Sequence, residues 1–116
     1  MYDADAMAYD HELAMRIREL TAGERGVSEK KMFGGLAFLV GGNMAIAASA
    51  QGGLLVRVDP DESDAIIRRT GAATMEMRGR DMPGWLRVAS DRVTTKRDLK
   101  AWVDRGVAYA RTLPAK

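Results

Sequence analysis

The sequence contains no cysteine and only one histidine among its 116 residues. Without cysteine the chain has no disulfide, no thiolate metal ligand and no cysteine nucleophile, and one imidazole cannot build a multi-histidine metal site. Apolar runs are short: the stretch from Leu36 to Val40 holds five residues, far below the ~20 that cross a bilayer. The first ten residues include three aspartates and no base, which is not typical of a signal or transit peptide. We therefore expect a cytoplasmic protein with no membrane partner.

Composition is that of an ordinary folded domain, with 47% hydrophobic and 29% charged residues. These values argue against disorder, and the length suits one domain rather than two. The net charge of +2 conceals an uneven distribution. Residues 1–64 carry 6 Lys/Arg and 11 Asp/Glu, a net −5, whereas residues 65–116 carry 12 and 5, a net +7. The second part could therefore meet an acidic partner.

Three helices are predicted from apolar residues at helical spacing and from capping residues. They run from about Asp10 to Ala22, from Asp59 to about Thr70, and from Lys96 to Thr112. Asp59 is followed by a proline that suits a first helical turn. Thr95 and Asp98 stand at the spacing of a capping box before the last helix.

Short apolar stretches between glycine-containing turns predict an antiparallel meander. The predicted strands are Leu36 to Val40, Met44 to Ser49, Leu54 to Val58, Met75 to Arg78 and Trp85 to Ala89, with Lys30 to Phe33 as an opening segment. Residues 24–28 and 79–84 are predicted as loops. Strands in runs with helices outside them indicate an α+β fold, an antiparallel sheet of about five strands with helices packed on one face.

No pattern of catalytic residues emerges. His11 stands beside Glu12 in the first turn of a predicted helix, and no serine lies in a Gly-x-Ser-x-Gly elbow. The acidic cluster from Asp59 to Asp64 lacks the glycine of a calcium-binding loop, and helix capping accounts for it without a metal. We predict no enzymatic activity, no catalytic residue, no cofactor and no metal site.

The central hairpin is apolar on both faces, because Leu36 to Val40 and Met44 to Ala48 contain almost no polar residue. A sheet covered by helices on one side normally shows a polar second face. The pattern therefore indicates contact with a protein partner or with a second copy. The candidate partner surface comprises Met32, Phe33, Phe38, Ala45, Ala47, Arg80, Met82 and Trp85.

Two alternatives stay open. The basic second part of the chain could bind nucleic acid, although interspersed acids and few free aromatic residues weaken that interpretation. Converging bases could instead hold a small anion. Candidate contacts for either ligand are Lys30, Lys31, Arg57, Arg78, Arg80 and Arg87.

Several stretches resemble the N-terminal domain of the TfoX/Sxy family, over about residues 7 to 115. They are Lys30 to Leu39 with Gly42-Asn43-Met44, Leu54 to Val58, Gly79 to Trp85, Trp102-Val103, and Ala110 to Pro114. One departure is Asp81 before Pro83, because the family often places its proline directly after the Gly-Arg pair.

The resemblance implies a secretion-chaperone-like α+β fold with a curved antiparallel sheet and flanking helices. The namesake proteins regulate competence for DNA uptake together with the cyclic-AMP receptor protein at certain promoters, and they carry a second, helical C-terminal domain. We expect one stand-alone N-terminal-type domain at residues 7–116, preceded by a flexible extension at residues 1–6. The family has no established catalytic residue that could be transferred to this chain.

Overall fold

The computed structural model describes residues 9–32 and 34–116, which form three helices and one six-stranded sheet. In chain order the elements are α1 (His11–Thr21), β1 (Val27–Met32), β2 (Gly35–Val40), β3 (Asn43–Ala48), β4 (Leu54–Arg57), α2 (Ser63–Thr70), β5 (Ala73–Met77), β6 (Arg80–Val88) and α3 (Lys96–Arg111). All strand pairs are antiparallel, in the order β1-β2-β3-β4-β6-β5. The α+β prediction is confirmed, with one strand more than expected. The proposed extension at residues 1–6 lies outside the described residues.

The predicted helix starts are confirmed by their capping hydrogen bonds. The Asp10 carboxylate accepts from the Leu13 amide at 3.0 Å, and the Thr95 hydroxyl accepts from the Asp98 amide at 3.1 Å. Asp59 caps the short 3₁₀ turn that leads into α2. Each bond satisfies an amide that the first helical turn would otherwise leave without a partner.

Two segments predicted as loops lie partly in strands. β1 begins at Val27, inside the predicted loop 24–28, and pairs with β2 along its whole length. The predicted loop 79–84 belongs mainly to β6, because the chain turns tightly at Arg78 and Gly79, both with positive φ. Residues 83–85 have no partner in β5, so Pro83 occupies a strand position where it need not donate a hydrogen bond to that neighbour.

All three helices pack on one face of the sheet, and α3 makes the closest approach. Gly106 of α3 lies against the backbone of β3, where a Cβ atom would overlap the Ala45 carbonyl oxygen. Ala45 is the extra residue of a β-bulge, since Phe38 pairs with Ile46 and the next pair skips to Leu39 with Met44. The bulge and the glycine together bring α3 down onto the sheet.

Polar contacts hold the periphery of this core. Arg18 of α1 donates two hydrogen bonds, of 2.6 and 2.8 Å, to the Glu29 carboxylate of β1, and this bonding lowers the pKa of Glu29. After the end of α3, the Pro114 carbonyl accepts a hydrogen bond of 2.9 Å from the buried Asn43 side chain of β3. Within the described residues, no helix has the length and apolar character needed to cross a membrane.

Replacing Gly106 with alanine tests the close approach of α3. Alanine is favoured over glycine inside a helix by about 1 kcal/mol, but overpacking a core usually costs about 1–3 kcal/mol. Because the overlap is with a backbone atom, the cost should lie at the upper end of that range, and we expect Gly106→Ala to lower the free energy of unfolding in urea by about 2 kcal/mol. The control is Gly23→Ala, where an added Cβ meets nothing within 4 Å. A more stable Gly106→Ala protein would contradict the packing described here.

The Arg18–Glu29 pair predicts a pH dependence. A lowered carboxyl pKa contributes stability above the ordinary glutamate pKa of about 4.3, and that contribution is lost as the pH falls through the lowered value. We expect Glu29→Gln to reduce the urea midpoint near pH 7, with the difference from wild type disappearing in acid. Glu19→Gln, at an exposed α1 position outside the described ion pairs, is the control. A pH-independent difference would exclude this origin.

Candidate interaction surface

A second apolar cluster lies on the face of the sheet opposite the helices. Its buried members are Ala37, Met44, Ala47 and Leu55, and none of the helices contributes to it. Around them pack the partly buried side chains of Met32, Leu39, Met75 and Trp85. We call the strand residues on this side the helix-free face. Its apolar character confirms that both sides of the central hairpin are hydrophobic.

The β3 bulge decides which residues of the hairpin reach this face. In β2, ordinary alternation turns Phe38 toward the helices and Ala37 away from them. In β3, the extra residue leaves both Ala45 and its successor on the helix side, so Met44 and Ala47 share the opposite face. Without the bulge, Ala45 and Ala47 would lie on the same face of the sheet. With it, Ala45 faces the helices and Ala47 faces the opposite side.

The sheet curls toward the helix-free face. Strands lie about 4.8 Å apart, so the outermost strands of a flat six-stranded sheet would be roughly 24 Å apart. Yet Met32 of β1 and Met75 of β5, the two edge strands, line one cavity of about 60 Å³. Ala37 and Ala47 form part of its floor. This face is therefore a concave cradle, in which Ala37 and Ala47 leave space between longer side chains such as Met32 and Met75 on the edge strands.

Methionine is concentrated in this cradle. The chain has eight methionines, and strand pairing and alternation place five of them here: Met32, Met44, Met75, Met77 and Met82. By contrast, Met15 lies on α1, where it is 55% exposed. Because methionine is flexible and polarisable, a surface lined with it adapts to partners of different shape.

Charge on the helix-free face has one sign. Strand pairing places four bases there, namely Lys30, Arg57, Arg80 and Arg87. The three acidic residues of the strands, Glu29, Glu76 and Asp81, alternate to the other side. The ion pairs found among the described residues, Arg18–Glu29, Lys100–Asp104 and Arg111–Glu24, do not involve the four bases. The cradle is therefore both apolar and basic.

Two arginines of this face are held close to apolar surface. Arg87 is half-buried and lines the cavity. The Arg57 guanidinium carbon lies 4.9 Å from the centroid of the Trp85 ring and 5.9 Å from that of Tyr109 on α3. The Arg57 guanidinium therefore lies between a ring of the helix-free face and a ring of α3, whereas Arg87 faces the cavity itself.

The structure brings together most of the predicted partner surface. Met32, Ala47, Arg80, Met82 and Trp85 all belong to the helix-free face. The assignment of two others was wrong. Phe38 and Ala45, with 1% and 0% exposure, are buried between the sheet and the helices and are not accessible to a partner. Phe33 lies outside the described residues.

The predicted anion contacts divide in a similar way. Lys30, Arg57, Arg80 and Arg87 share the helix-free face, whereas Lys31 pairs with Leu36 and alternates to the helix side. Arg78 lies in the turn between β5 and β6.

The sequence interpretation missed Leu39, Met44, Leu55, Met75 and Met77 as residues of this face. For Leu39 and Leu55, the alternation along their strands carried the signal. The position of Met44 depends on the bulge, and that of Met75 and Met77 on the pairing of β5 with β6.

Bases elsewhere in the second part of the chain are dispersed. Several contact other groups of the protein: Arg92 donates to the Thr70 carbonyl at 3.0 Å, and Arg105 lies 4.7 Å from the Trp102 ring. Lys100 pairs with Asp104. These three bases lie on α3 and in the turn before it, not on the helix-free face.

The histidine considered for catalysis belongs to α1, which packs on the other face of the sheet. His11 is exposed at the start of α1, with its ring stacked 4.4 Å from that of Tyr9. Over residues 9–32 and 34–116, no group of three His, Asp or Glu residues is placed to hold a metal ion.

Comparison with known proteins gives one match. The sequence model of the TfoX N-terminal domain matches residues 19–110, which is most of the chain. No curated protein and no solved structure matches this chain.

Parallel substitutions at positions 45 and 47 test the assignment of faces. Glutamine at Ala45 would place a polar group beneath α3, and we expect it to cost more than about 3 kcal/mol or to prevent folding. Glutamine at Ala47 can extend into the cradle, and we expect a loss below about 2 kcal/mol. Urea unfolding monitored by circular dichroism measures both. Equal losses would contradict the bulge assignment, because strict alternation puts both alanines on one face.

Proposed function

The chain belongs to the TfoX N-terminal domain family, and on that premise we propose that it is a non-enzymatic module that binds a protein partner. The helix-free face is the proposed binding surface. The partner belongs to transcriptional or competence-type regulation, the process that the family resemblance implies. Binding of nucleic acid, or of a small anion, stays an alternative prediction.

One observation carries this proposal: an apolar cluster lies on the side of the sheet that none of the three described helices covers. Residues such as Met75 and Trp85 are only partly buried there, although they pack against fully buried neighbours. Partly exposed apolar side chains that pack next to one another, bordered by charged side chains, support an interaction site. Five flexible methionines add the adaptability that such surfaces use.

Charged substitutions test whether this face binds the partner. We expect Met75→Glu and Leu39→Glu to abolish specific recovery of a partner, or self-association, because each buries a carboxylate in the interface. The matched control is Met15→Glu, at an exposed methionine on the helix side of the molecule. Affinity purification from native cells and light scattering of the purified protein measure the two forms of contact.

Circular dichroism and thermal unfolding would first establish that each variant is folded. If Met75→Glu and Leu39→Glu retain the same partners and the same oligomeric state as wild type, the proposed binding surface is wrong. For the regulatory role, transcript levels in a deletion strain should be restored by the wild-type chain and by Met15→Glu, but not by Met75→Glu. Equal restoration by all three would exclude a regulatory role for this face.

A further inference from the structure

We infer that the partner segment bound by the helix-free face is an acidic amphipathic peptide. Its apolar side chains would enter the methionine-lined cradle, and its carboxylates would pair with Lys30, Arg57, Arg80 and Arg87. The inference rests on the proposed function, because it specifies the chemistry of the partner that this function requires.

Charge complementarity is the first argument. The helix-free face carries four bases and none of the three strand acids, which all alternate to the other side. A segment bearing carboxylates is attracted to this face, whereas a basic segment is repelled. The acids and bases of the strands are thus sorted by side, a distribution that the net charge of +2 does not reveal.

Arg87 joins the charged and apolar parts of the surface. It lines the same cavity as Met44, Ala47 and Leu55 and is itself half-buried. A carboxylate next to an apolar anchor could therefore bond to the guanidinium while the anchor fills the cavity. Arginine accepts carboxylates in a two-bond geometry, and partial exclusion of water strengthens that contact.

The size of the cavity favours a side chain over a small-molecule ligand. Its volume of about 60 Å³ leaves room for only a few water molecules. That space admits the tip of one apolar side chain, whereas pockets for drug-sized ligands usually measure about 300–1,000 Å³. The remaining contacts must therefore come from a segment lying across the face.

Single-stranded nucleic acid fits the surface less well. Proteins that bind single strands stack successive bases on several aromatic rings. Among the described strand residues, only Trp85 places an aromatic ring on the helix-free face, and the Arg57 guanidinium already lies over that ring. The observations therefore favour a peptide, and an oligonucleotide serves as the competing probe.

A peptide selection experiment tests the inference and does not require the partner to be identified. The full chain would be used to select binders from a display library of random linear peptides, and the recovered peptides would be synthesised with a fluorescent label. We expect them to combine large apolar residues with an excess of Asp and Glu over the unselected library. Fluorescence polarisation would then give the affinity of each peptide for wild type and variants.

The variants separate charge from apolar contact. We expect Arg87→Gln to weaken binding about tenfold or more, as for the loss of a hydrogen bond to a charged group. Arg97→Gln, at an exposed position on α3, should leave the affinity unchanged. Met75→Glu and Leu39→Gln should both abolish binding, and the milder Leu39→Gln guards against misfolding of the first.

The possible outcomes distinguish this inference from the proposed function. Peptides that depend on Met75 and Leu39 but show no acidic excess, or bind Arg87→Gln unchanged, would overturn the inference and leave the proposed function standing. Failure to select any peptide that depends on this face would overturn the inference, and the proposed function would still be decided by affinity purification and light scattering of Met75→Glu and Leu39→Glu. Binding of oligothymidylate through Arg87, with no peptide selected, would assign the face to a phosphate polymer and also overturn the inference.

Discussion

The contact between Gly106 of α3 and the bulged backbone at Ala45 sets the architecture of this protein. Only a glycine permits the helix axis to come so near to the sheet, since a Cβ atom would overlap the Ala45 carbonyl oxygen. With α3 seated there, Trp102, Val103 and Ala110 are buried together with residues of the sheet. The same contact places the longest helix, and with it the main core, on one side of the sheet.

The consequences reach the opposite side through the bulge. The extra residue turns Ala45 toward α3 and directs Met44 and Ala47 into the cradle. A sheet that curls has less room on its concave side, so small side chains at the centre are the stable choice. Ala37 and Ala47 meet that requirement, and the longer Met32 and Met75 at the edge strands close over them. Packing on the helix side and shape on the helix-free side thus have one origin.

Much of the fold could be predicted because its signals are local. Caps at Asp10, Asp59 and Thr95 and glycine turns between apolar runs do not depend on the tertiary structure. The failures concern long-range pairing. β1 contains the polar residues Ser28 to Lys31, and it is a strand because β2 lies beside it. Residues 79–84 are predicted to form a loop because they include Pro83 and Gly84. Both residues are nevertheless in β6, because its pairing with β5 is irregular at that point.

The candidate site shows the same limit more sharply. Apolar character on both faces of the hairpin is evident from Leu36 to Ala48, so the existence of a second apolar surface could be predicted. The residues that form this surface could not be predicted, because the alternation of side chains along a strand does not say which face the helices cover. The alternation also fails at a bulge. The prediction for Phe38 is wrong because it places the wrong face of β2 toward the partner. The prediction for Ala45 is wrong because the bulge interrupts the alternation in β3. Met75 and Met77 lie on β5, at the far edge of the sheet. They belong to this face because β5 pairs with β6, which the sequence does not reveal.

Charge illustrates why position within the fold carries more information than position along the chain. The net −5 of residues 1–64 owes much to acids at helix starts, where Asp10 and Asp59 bond to backbone amides. These acids are explained by helix capping and need no partner. The basic residues of the helix-free face have no such local explanation, because they come from β1, β4 and β6, which are distant in sequence. Lys30 even belongs to the acidic part of the chain, yet folding places it on the same face as Arg87. The charge that a partner meets is therefore set by the face on which each residue lies, not by its position along the chain.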